Sequence, residues 1–262
     1  MYVSFENLTM KYDERTVLDI DKGSVTSGKI TGIIGPNGSG KTTLLNTISG
    51  LLVPTTGIIR YANLPANPSD DLEWFEKIPR RRITLVFQKP YLIDTSVEKN
   101  IAFPLKIRKW DKDKIHERTE ELVNLFGLKG LEKQRATRMS SGEMQKTAIA
   151  RALSFSPSLL MLDEPTSNID PGSTDDIEKI LSEYRKNENI NIIIVSHNLA
   201  QVKRLCDNVM MMHDGKVIET GTADDVLSSP EHLLTRKFIS KEALLSRKHA
   251  ELLKDKEDSE EE

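Results

Sequence analysis

Residues 30–43 read ITGIIGPNGSGKTT, and this stretch decides the fold of the chain. Its first five residues form a short apolar run, which is typical of a strand buried on both faces of a sheet. The next nine contain three glycines, one lysine and two threonines. Glycine destabilises the interior of helices and strands, so a cluster of glycines indicates a turn with a special backbone requirement. The stretch therefore predicts a strand, a tight loop and a helix.

The loop in this stretch matches the phosphate-binding pattern G-x-x-x-x-G-K-[ST]. Its glycines let backbone N–H groups turn inward around a phosphate chain, and the next helix points the positive end of its dipole at the same anion. Lys41 supplies a charge for the outer phosphates, and the Thr42 hydroxyl is a ligand for Mg²⁺. The alternative is a glycine-rich turn with Lys41 in solvent. The candidate nucleotide-binding residues are Gly35, Asn37, Gly38, Ser39, Gly40, Lys41, Thr42 and Thr43.

The rest of the chain predicts the α/β fold class. Further strand-like runs occupy residues 3–10, 83–87, 159–163 and 191–196, and helical patterns occupy 42–49, 142–154 and 173–187. Because strands and helices alternate, we expect a mostly parallel sheet. Residues 208–221 predict a hairpin with its turn at Asp214 and Gly215. Residues 95–134 have helical periodicity only, which predicts an inserted helical subdomain.

Composition limits the class of protein. The chain has 262 residues, of which 37% are hydrophobic and 29% charged, as expected for a globular α/β protein. A net charge of −3 gives no electrostatic reason to expect nucleic acid as a partner. The single cysteine, Cys206, excludes an internal disulfide and suits a reducing cytosol. We expect no signal peptide and no membrane span, so a membrane role would require a partner chain.

Two acids and a histidine follow other predicted strands. The run LLMLDEP at 159–165 ends in Asp163 and Glu164, which point to opposite faces of a strand and so have different roles. We expect Asp163 in the Mg²⁺ shell and Glu164 beside an attacking water as general base. Exposed turn acids before Pro165 are the alternative. His197 follows the run at 191–196 and is a candidate for contact with the γ-phosphate or the water, although a lone histidine is often structural.

Residues 138–153, RMSSGEMQKTAIARAL, resemble the signature segment of the ABC ATPase family. Residues 139–143 stand where that family has Leu-Ser-Gly-Gly-Gln, and SNID at 167–170 stands where it has Ser-Ala-Leu-Asp. The resemblance covers about residues 1–228. It implies a P-loop NTPase (RecA-like) core at 1–87 and 140–228, with antiparallel β elements near the N-terminus. It also implies a helical subdomain at 88–139 and a C-terminal helix and tail at 229–262.

The resemblance implies roles for further residues. Tyr12 stands at the position that stacks on adenine, and Gln88 at the position that reaches Mg²⁺ and senses a transmembrane partner. Glu164 and His197 match the catalytic glutamate and the switch histidine. The resemblance also implies a head-to-tail dimer around two ATP molecules. In such a dimer, the residues that contact the ATP of the other subunit or lie at the interface are Ser140, Gly142 and Asp170.

Two departures from the signature bear on turnover. Ser141 replaces the first glycine and Glu143 replaces the glutamine. A serine still presents its N–H at a helix N-terminus, so we expect the anion site to survive. The charge of Glu143 favours the helix dipole but is unfavourable close to phosphate.

Three functions compete at this point. The first is the ATP-binding subunit of an importer, at the cytoplasmic face of the membrane, with separate permease subunits and a solute-binding protein. Residues 86–105 resemble uptake ATPases, with a lean toward tungstate, molybdate or phosphate systems. The second is an efflux or lipoprotein-release system. The third is a soluble ABC ATPase of DNA maintenance, which would need a long coiled coil between Lys41 and Ser140.

The C-terminal segment predicts a peripheral element. Residues 231–262 are amphiphilic and end in the acidic run KDKEDSEEE. We expect a solvated helix followed by a frayed tail.

Overall fold

The computed structural model describes residues 1–61, 64–66, 78–167 and 169–245. The acidic tail and Asn168 of the SNID segment lie outside these residues. The described strands, numbered in chain order, are β1 (Val3–Tyr12), β2 (Arg15–Val25), β3 (Ile30–Ile34), β4 (Thr56–Tyr61), β5 (Leu64–Ala66), β6 (Ile83–Val86), β7 (Leu159–Asp163), β8 (Asn191–Val195), β9 (Asn208–His213) and β10 (Lys216–Thr222). They form an antiparallel sheet of order β2-β1-β4-β5 and a larger sheet of order β10-β9-β3-β8-β7-β6.

The larger sheet is parallel except at one edge. Strands β9, β3, β8, β7 and β6 run in the same direction, and β10 pairs with β9 as an antiparallel hairpin. All residues of β3, β7 and β8 are buried. The predicted α/β class, its mostly parallel sheet and the antiparallel N-terminal elements are confirmed.

Helices lie on both faces of this sheet. They are α1 (Lys41–Ile48), α2 (Val97–Ile107), α3 (Lys112–Leu125), α4 (Ser141–Leu153), α5 (Pro171–Glu188), α6 (Leu199–Leu205) and α7 (Ala223–Ser228). A further helix, α8, occupies residues 233–245. Helices α2 and α3 fall in the predicted subdomain, whose boundaries at 88 and 139 remain a prediction. Within the described ranges, no helix combines the length and apolar character needed to cross a membrane.

Alternate residues of the central strands belong to two separate hydrophobic cores, one on each face of the sheet. Leu160 and Leu162 of β7 pack with α2 to α6, whereas Met161 packs on the other face with α1 and the antiparallel sheet. Because both faces are covered, these strands are continuously apolar. Their carboxyl ends meet at one edge of the sheet, where Asp163 lies beside Val195 of β8.

The C-terminal helix differs in part from the prediction. Within α8, Thr235 and Phe238 are buried, and Phe238 belongs to the same core as α7. The expectation of a solvated helix is partly met in residues 233–245: most of these residues are exposed, and one side packs against the domain.

Candidate active site

The backbone of the phosphate loop depends on its glycines, and its carbonyl groups surround the Lys41 side chain. Gly35 has φ 144° and Gly40 has φ 96°, both in the region that favours glycine. A Cβ at Gly35 would lie 2.1 Å from the Met212 carbonyl oxygen. The Lys41 Nζ donates to the carbonyl oxygens of Gly35 at 2.8 Å and Pro36 at 2.9 Å. The loop therefore wraps around the ammonium group at the start of α1.

The loop also contains a buried polar atom that needs a partner. The Ser39 Oγ is buried and has no hydrogen-bond partner among the described residues. Burial lowers the pKa of Lys41, and the nearby carboxylates of Glu164 and Asp163 act in the opposite direction. An anion in the loop would meet a buried cation and backbone N–H groups at a helix N-terminus.

Thr42 and Asp163 lie together behind the loop. The Thr42 hydroxyl donates to the Asp163 Oδ2 at 2.9 Å. Burial raises the pKa of Asp163, and this hydrogen bond opposes the shift. The pair brings a hydroxyl and a carboxylate oxygen to the carboxyl end of β7.

Glu164 sits at a strained position between two polar side chains. Its φ is 46°, in the left-handed region, and its N–H donates to the Val195 carbonyl oxygen at 2.9 Å. Strain of this kind in a residue other than glycine is common at functional sites. The Glu164 Oε2 accepts from the Gln88 Nε2 at 3.1 Å and lies 3.2 Å from the His197 Nδ1.

Glu164 and His197 shift each other's pKa in opposite directions. The hydrogen bond from His197 holds the pKa of Glu164 below its usual value, and the same bond raises the pKa of His197. Glu164 is largely buried, whereas the His197 side chain is 59% exposed. The glutamate is therefore ionised and oriented, and the histidine remains accessible from the cleft.

These groups line one cleft of about 1210 Å³. The predicted residues in its wall are Gly35, Asn37, Gly38, Gly40, Lys41, Thr42, Thr43, Gln88, Glu164 and His197. Four segments distant in sequence thus converge, because they follow β3, β6, β7 and β8 at the same sheet edge. Ser39 and Asp163 are buried next to this wall.

Three wall residues were missed by sequence reasoning, along with one face of α8. Arg15 and Val17 belong to β2, and His213 ends β9. No motif marks them, since they reach the cleft through the packing of the antiparallel sheet and the C-terminal hairpin. Tyr12 does not line the cleft: it lies half exposed at the end of β1, paired in register with Arg15.

Ser140, Gly142 and Asp170 form a second cluster outside the cleft. Ser140 caps α4, and Asp170 caps α5 by accepting from the Ser173 N–H at 2.8 Å. Gly142, in the first turn of α4, packs against the start of α5, since a Cβ there would lie 2.4 Å from the Ser173 Oγ. Ser140 and Asp170 are exposed, and Gly142 is buried between the two helix ends.

Comparison with known proteins assigns the family. The sequence profile described as ABC transporter matches residues 18–167, more than half of the chain. The chain belongs to the ABC transporter family of ATPases. As an ABC ATPase it binds and hydrolyses ATP.

Relatives of the ABC ATPase extend over most of its length. It is 43% identical over 219 residues to the tungstate uptake system ATP-binding protein TupC of Peptoclostridium acidaminophilum, covering 84% of this chain and 98% of that one. It is 37% identical over 229 residues to the methionine import ATP-binding protein MetN of Staphylococcus haemolyticus, covering 86% and 67%.

Solved structures share the fold. CbiO1 of Clostridium perfringens, part of the ABC transporter complex cbiONQ, has a TM-score of 0.78 at 33% identity, covering 87% of this chain and 91% of that one. The dimeric cassette MJ0796, solved after hydrolysis with ADP and Pi, has a TM-score of 0.75 at 28% identity, covering 84% and 98%.

Proposed function

We propose that the chain dimerises around two ATP molecules and powers the uptake of a small solute, an oxyanion, through separate transmembrane subunits. We place it at the cytoplasmic face of the membrane, with a solute-binding protein as a further partner. The named importers among its relatives support uptake, and the near-complete overlap with a tungstate system supports the oxyanion.

In this proposal the loop and α1 bind the phosphates. Lys41 neutralises their charge, and the N–H groups of the loop and the first turn of α1 donate to their oxygens. The Ser39 Oγ, which is buried without a protein partner among the described residues, fits a phosphate oxygen as acceptor. Arg15 and Val17 lie in the same wall and are available to the nucleoside.

Thr42 and Asp163 fit a Mg²⁺ ion. Both offer hard oxygen atoms, which Mg²⁺ prefers, and the two side chains already meet at 2.9 Å. The described ranges contain no group of three or more His, Cys, Asp or Glu side chains that could hold a metal. Phosphate oxygens and water are thus expected to complete the shell, together with Gln88, which lines the same cleft. When bound, Mg²⁺ neutralises charge on the phosphate oxygens.

Glu164 would position the attacking water and accept its proton. Its carboxylate is fixed from two sides by Gln88 and His197, so one orientation is favoured before substrate binds. Gln88 links this site to the large sheet, because it follows β6 by two residues and its side chain donates to Glu164. The arrangement performs general-base hydrolysis of a phosphoanhydride.

The second subunit would supply the Ser140, Gly142 and Asp170 cluster. Since this cluster lies outside the cleft of its own subunit, it is available to the nucleotide of another. Closure around ATP and reopening after hydrolysis would convert the reaction into a rigid-body motion.

The observation that carries the transport proposal is an apolar groove beside Gln88. A groove of about 160 Å³ runs between β6, α2 and α4. Phe87, the neighbour of Gln88, forms one side and packs edge to face with Tyr91, with ring centroids 6.2 Å apart. Tyr91 is 75% exposed, and Phe103 and Ile107 of α2 are also exposed. We propose that a short helix of a membrane subunit fills this groove, so that its movement reaches Gln88.

Co-purification tests this proposal. Tagged chain, recovered from gently solubilised native membranes, should bring down multispanning subunits and a solute-binding protein. The variant Tyr91→Glu should lose them, because a charge in the groove opposes the apolar contact. Tyr2→Glu is the matched control, since Tyr2 is an exposed tyrosine that does not line the groove.

The set of chains that co-purifies distinguishes the three candidate functions. Membrane subunits without a solute-binding protein would favour efflux or lipoprotein release. Recovery of the tagged chain without any membrane subunit would overturn the transport proposal and favour a non-transport ABC ATPase. Equal loss in both tyrosine variants would remove the groove from the docking surface.

A further inference from the structure

The side-chain amide of Gln201, on α6, joins the two chain segments that carry Glu164 and His197. Gln201 is buried, with 1% of its surface exposed. Its Oε1 accepts from the Ser196 hydroxyl at 2.8 Å, and its Nε2 donates to the Thr166 hydroxyl at 2.7 Å. Ser196 directly precedes His197, and Thr166 follows Glu164 by two residues. One side chain that does not line the cleft thus connects the segments that follow β7 and β8.

A buried ion pair fixes the orientation of this amide. The Gln201 Nε2 also donates to the Glu178 Oε1 at 3.2 Å, and the Glu178 carboxylate accepts two further bonds from Arg204, at 2.8 and 3.0 Å. A carboxylate in an ion pair only accepts hydrogen bonds, so the NH₂ group of the amide faces Glu178 and its oxygen faces Ser196. Because Glu178 is 8% exposed, a reversed amide would leave a buried carboxylate against an oxygen atom. Gln201 therefore has one favoured orientation.

The bond to Thr166 reaches Glu164 through one tight turn. The Ser167 N–H and hydroxyl both donate to the Glu164 carbonyl oxygen, at 3.2 and 2.9 Å. The left-handed backbone of Glu164 costs free energy and persists only where surrounding contacts impose it. The bond from Gln201 to Thr166 is such a contact, because it holds the turn from the side that faces α6. A displacement of this turn would displace the Glu164 carboxylate as well.

We propose that Gln201 is a positioning residue for ATP hydrolysis, which holds Glu164 and His197 at the spacing that the attacking water requires. It acts through Thr166 and Ser196, from outside the cleft wall. A misplacement of about 1 Å in a reacting group costs on the order of 100-fold in rate, so small shifts of these segments affect turnover. The inference rests on the proposed function in that Glu164 accepts the proton of the water.

Steady-state ATP hydrolysis by the full chain, with two changes at Thr166, tests this role. Thr166→Val keeps the shape and removes the hydroxyl, so kcat should fall about tenfold while the KM for ATP stays within about twofold of the natural value. Thr166→Ser keeps the hydroxyl and should restore kcat to within about twofold. The control is Tyr184→Phe, which removes a buried hydroxyl that accepts from Arg118 at 2.7 Å, outside the cleft wall. It should leave kcat unchanged.

A double-mutant cycle gives an independent readout. Gln201→Leu removes the partner of the Thr166 hydroxyl, so the further change Thr166→Val should then alter kcat by less than about twofold. Losses that multiply would show that the two side chains act separately, and would overturn the inference. If Gln201→Leu does not fold, the comparison of Thr166→Val with Thr166→Ser decides alone.

The Thr166 variants also separate positioning from other roles of the hydroxyl. An unchanged kcat in Thr166→Val would overturn the role of Gln201. An equal loss in Thr166→Ser would overturn it too, by assigning the effect to the methyl group, and so would a raised KM with unchanged kcat, which would make the hydroxyl a nucleotide contact. Glu164→Gln is measured alongside: near-normal turnover in that variant would overturn the proposed function itself, and the positioning role with it.

Discussion

Helices α1 and α4 both begin at proposed nucleotide contacts, but their first turns are built differently. No side chain caps α1, and its first turn contains no acid. In α4 the Ser140 side chain accepts from the Glu143 N–H, and the Glu143 Oε2 accepts from the Ser140 N–H at 2.8 Å. The N–H groups of α1 are therefore available to an anion, whereas those of α4 are partly satisfied by the chain itself.

The difference assigns unequal roles to the two helix ends. At α1 the helix dipole and Lys41 act in the same direction on an anion, whereas at α4 the carboxylate of Glu143 already neutralises the dipole. We infer that the α1 side supplies most of the affinity for ATP. The α4 side would add a weak contact when two subunits close, which keeps the closed state easy to reopen.

The largest effect is expected from removing the proposed general base, Glu164, which lies in the same cleft as the start of α1. Glu164→Gln should slow ATP hydrolysis at least ~100-fold with ATP binding retained, since it removes the general base and keeps the shape. Steady-state phosphate release and nucleotide titration measure the two quantities. Glu188→Gln, at an exposed position near the end of α5, is the control. Near-normal turnover in Glu164→Gln would exclude the role given to this residue.

A second variant tests whether α1 dominates binding. Lys41→Ala should weaken ATP binding at least about tenfold, because it removes a charge-assisted contact from a buried site. Calorimetric titration measures the affinity, with the exposed Lys22→Ala as control. An unchanged affinity would contradict both the phosphate-loop assignment and the comparison of the two helices.

A smaller effect is expected at α4. Glu143→Gln removes the charge and retains an oxygen for the capping box, so ATP-dependent dimerisation should strengthen about two- to fivefold. Sedimentation of the dimer in the Glu164→Gln background measures this. Glu143→Ala also loses the box and should destabilise the fold by about 1 kcal/mol in chemical unfolding. Weaker dimerisation of Glu143→Gln would show that the carboxylate supports closure.

Much of the cleft was predictable because its residues follow buried strands. Asp163 and Glu164 stand at the end of β7, and His197 follows β8 by two residues. Lys41 begins the helix that follows the loop after β3, and the carboxyl ends of parallel strands share one edge. This placement needs only the strand pattern. The left-handed backbone of Glu164 was not predictable, since surrounding contacts impose it.

The parts of the cleft wall that come from the antiparallel sheet and from α8 were not predictable from the sequence. Arg15 and Val17 depend on how the antiparallel sheet packs, and the cleft-facing side of α8 depends on contacts such as that of the Glu219 carboxylate with the Glu231 N–H. Tyr12 stands at the expected motif position but is not among the residues that line the cleft. Local patterns thus predict elements and strand ends, and packing decides which surfaces meet.

The smallest effect is expected in the pH dependence of stability, through the pair Glu164 and His197 in the same cleft. The raised pKa of His197 contributes stability that is present below its unfolded value of 6.5 and is lost as pH rises through the folded value. The lowered pKa of Glu164 contributes stability that is present above 4.5 and is lost as pH falls through the folded value. The pair should therefore stabilise the fold most between these two values. Since His197 is mostly exposed, the gain over His197→Ala should be at most about 1 kcal/mol.

Urea unfolding of the natural chain and His197→Ala at several pH values measures this gain. The difference in unfolding free energy should peak between pH 4.5 and 6.5 and decline on both sides. The exposed His116→Ala, on α3, is the control variant. A difference that persists unchanged well above the usual histidine range would mean that His197 acts through packing, and that its link to Glu164 is not ionic.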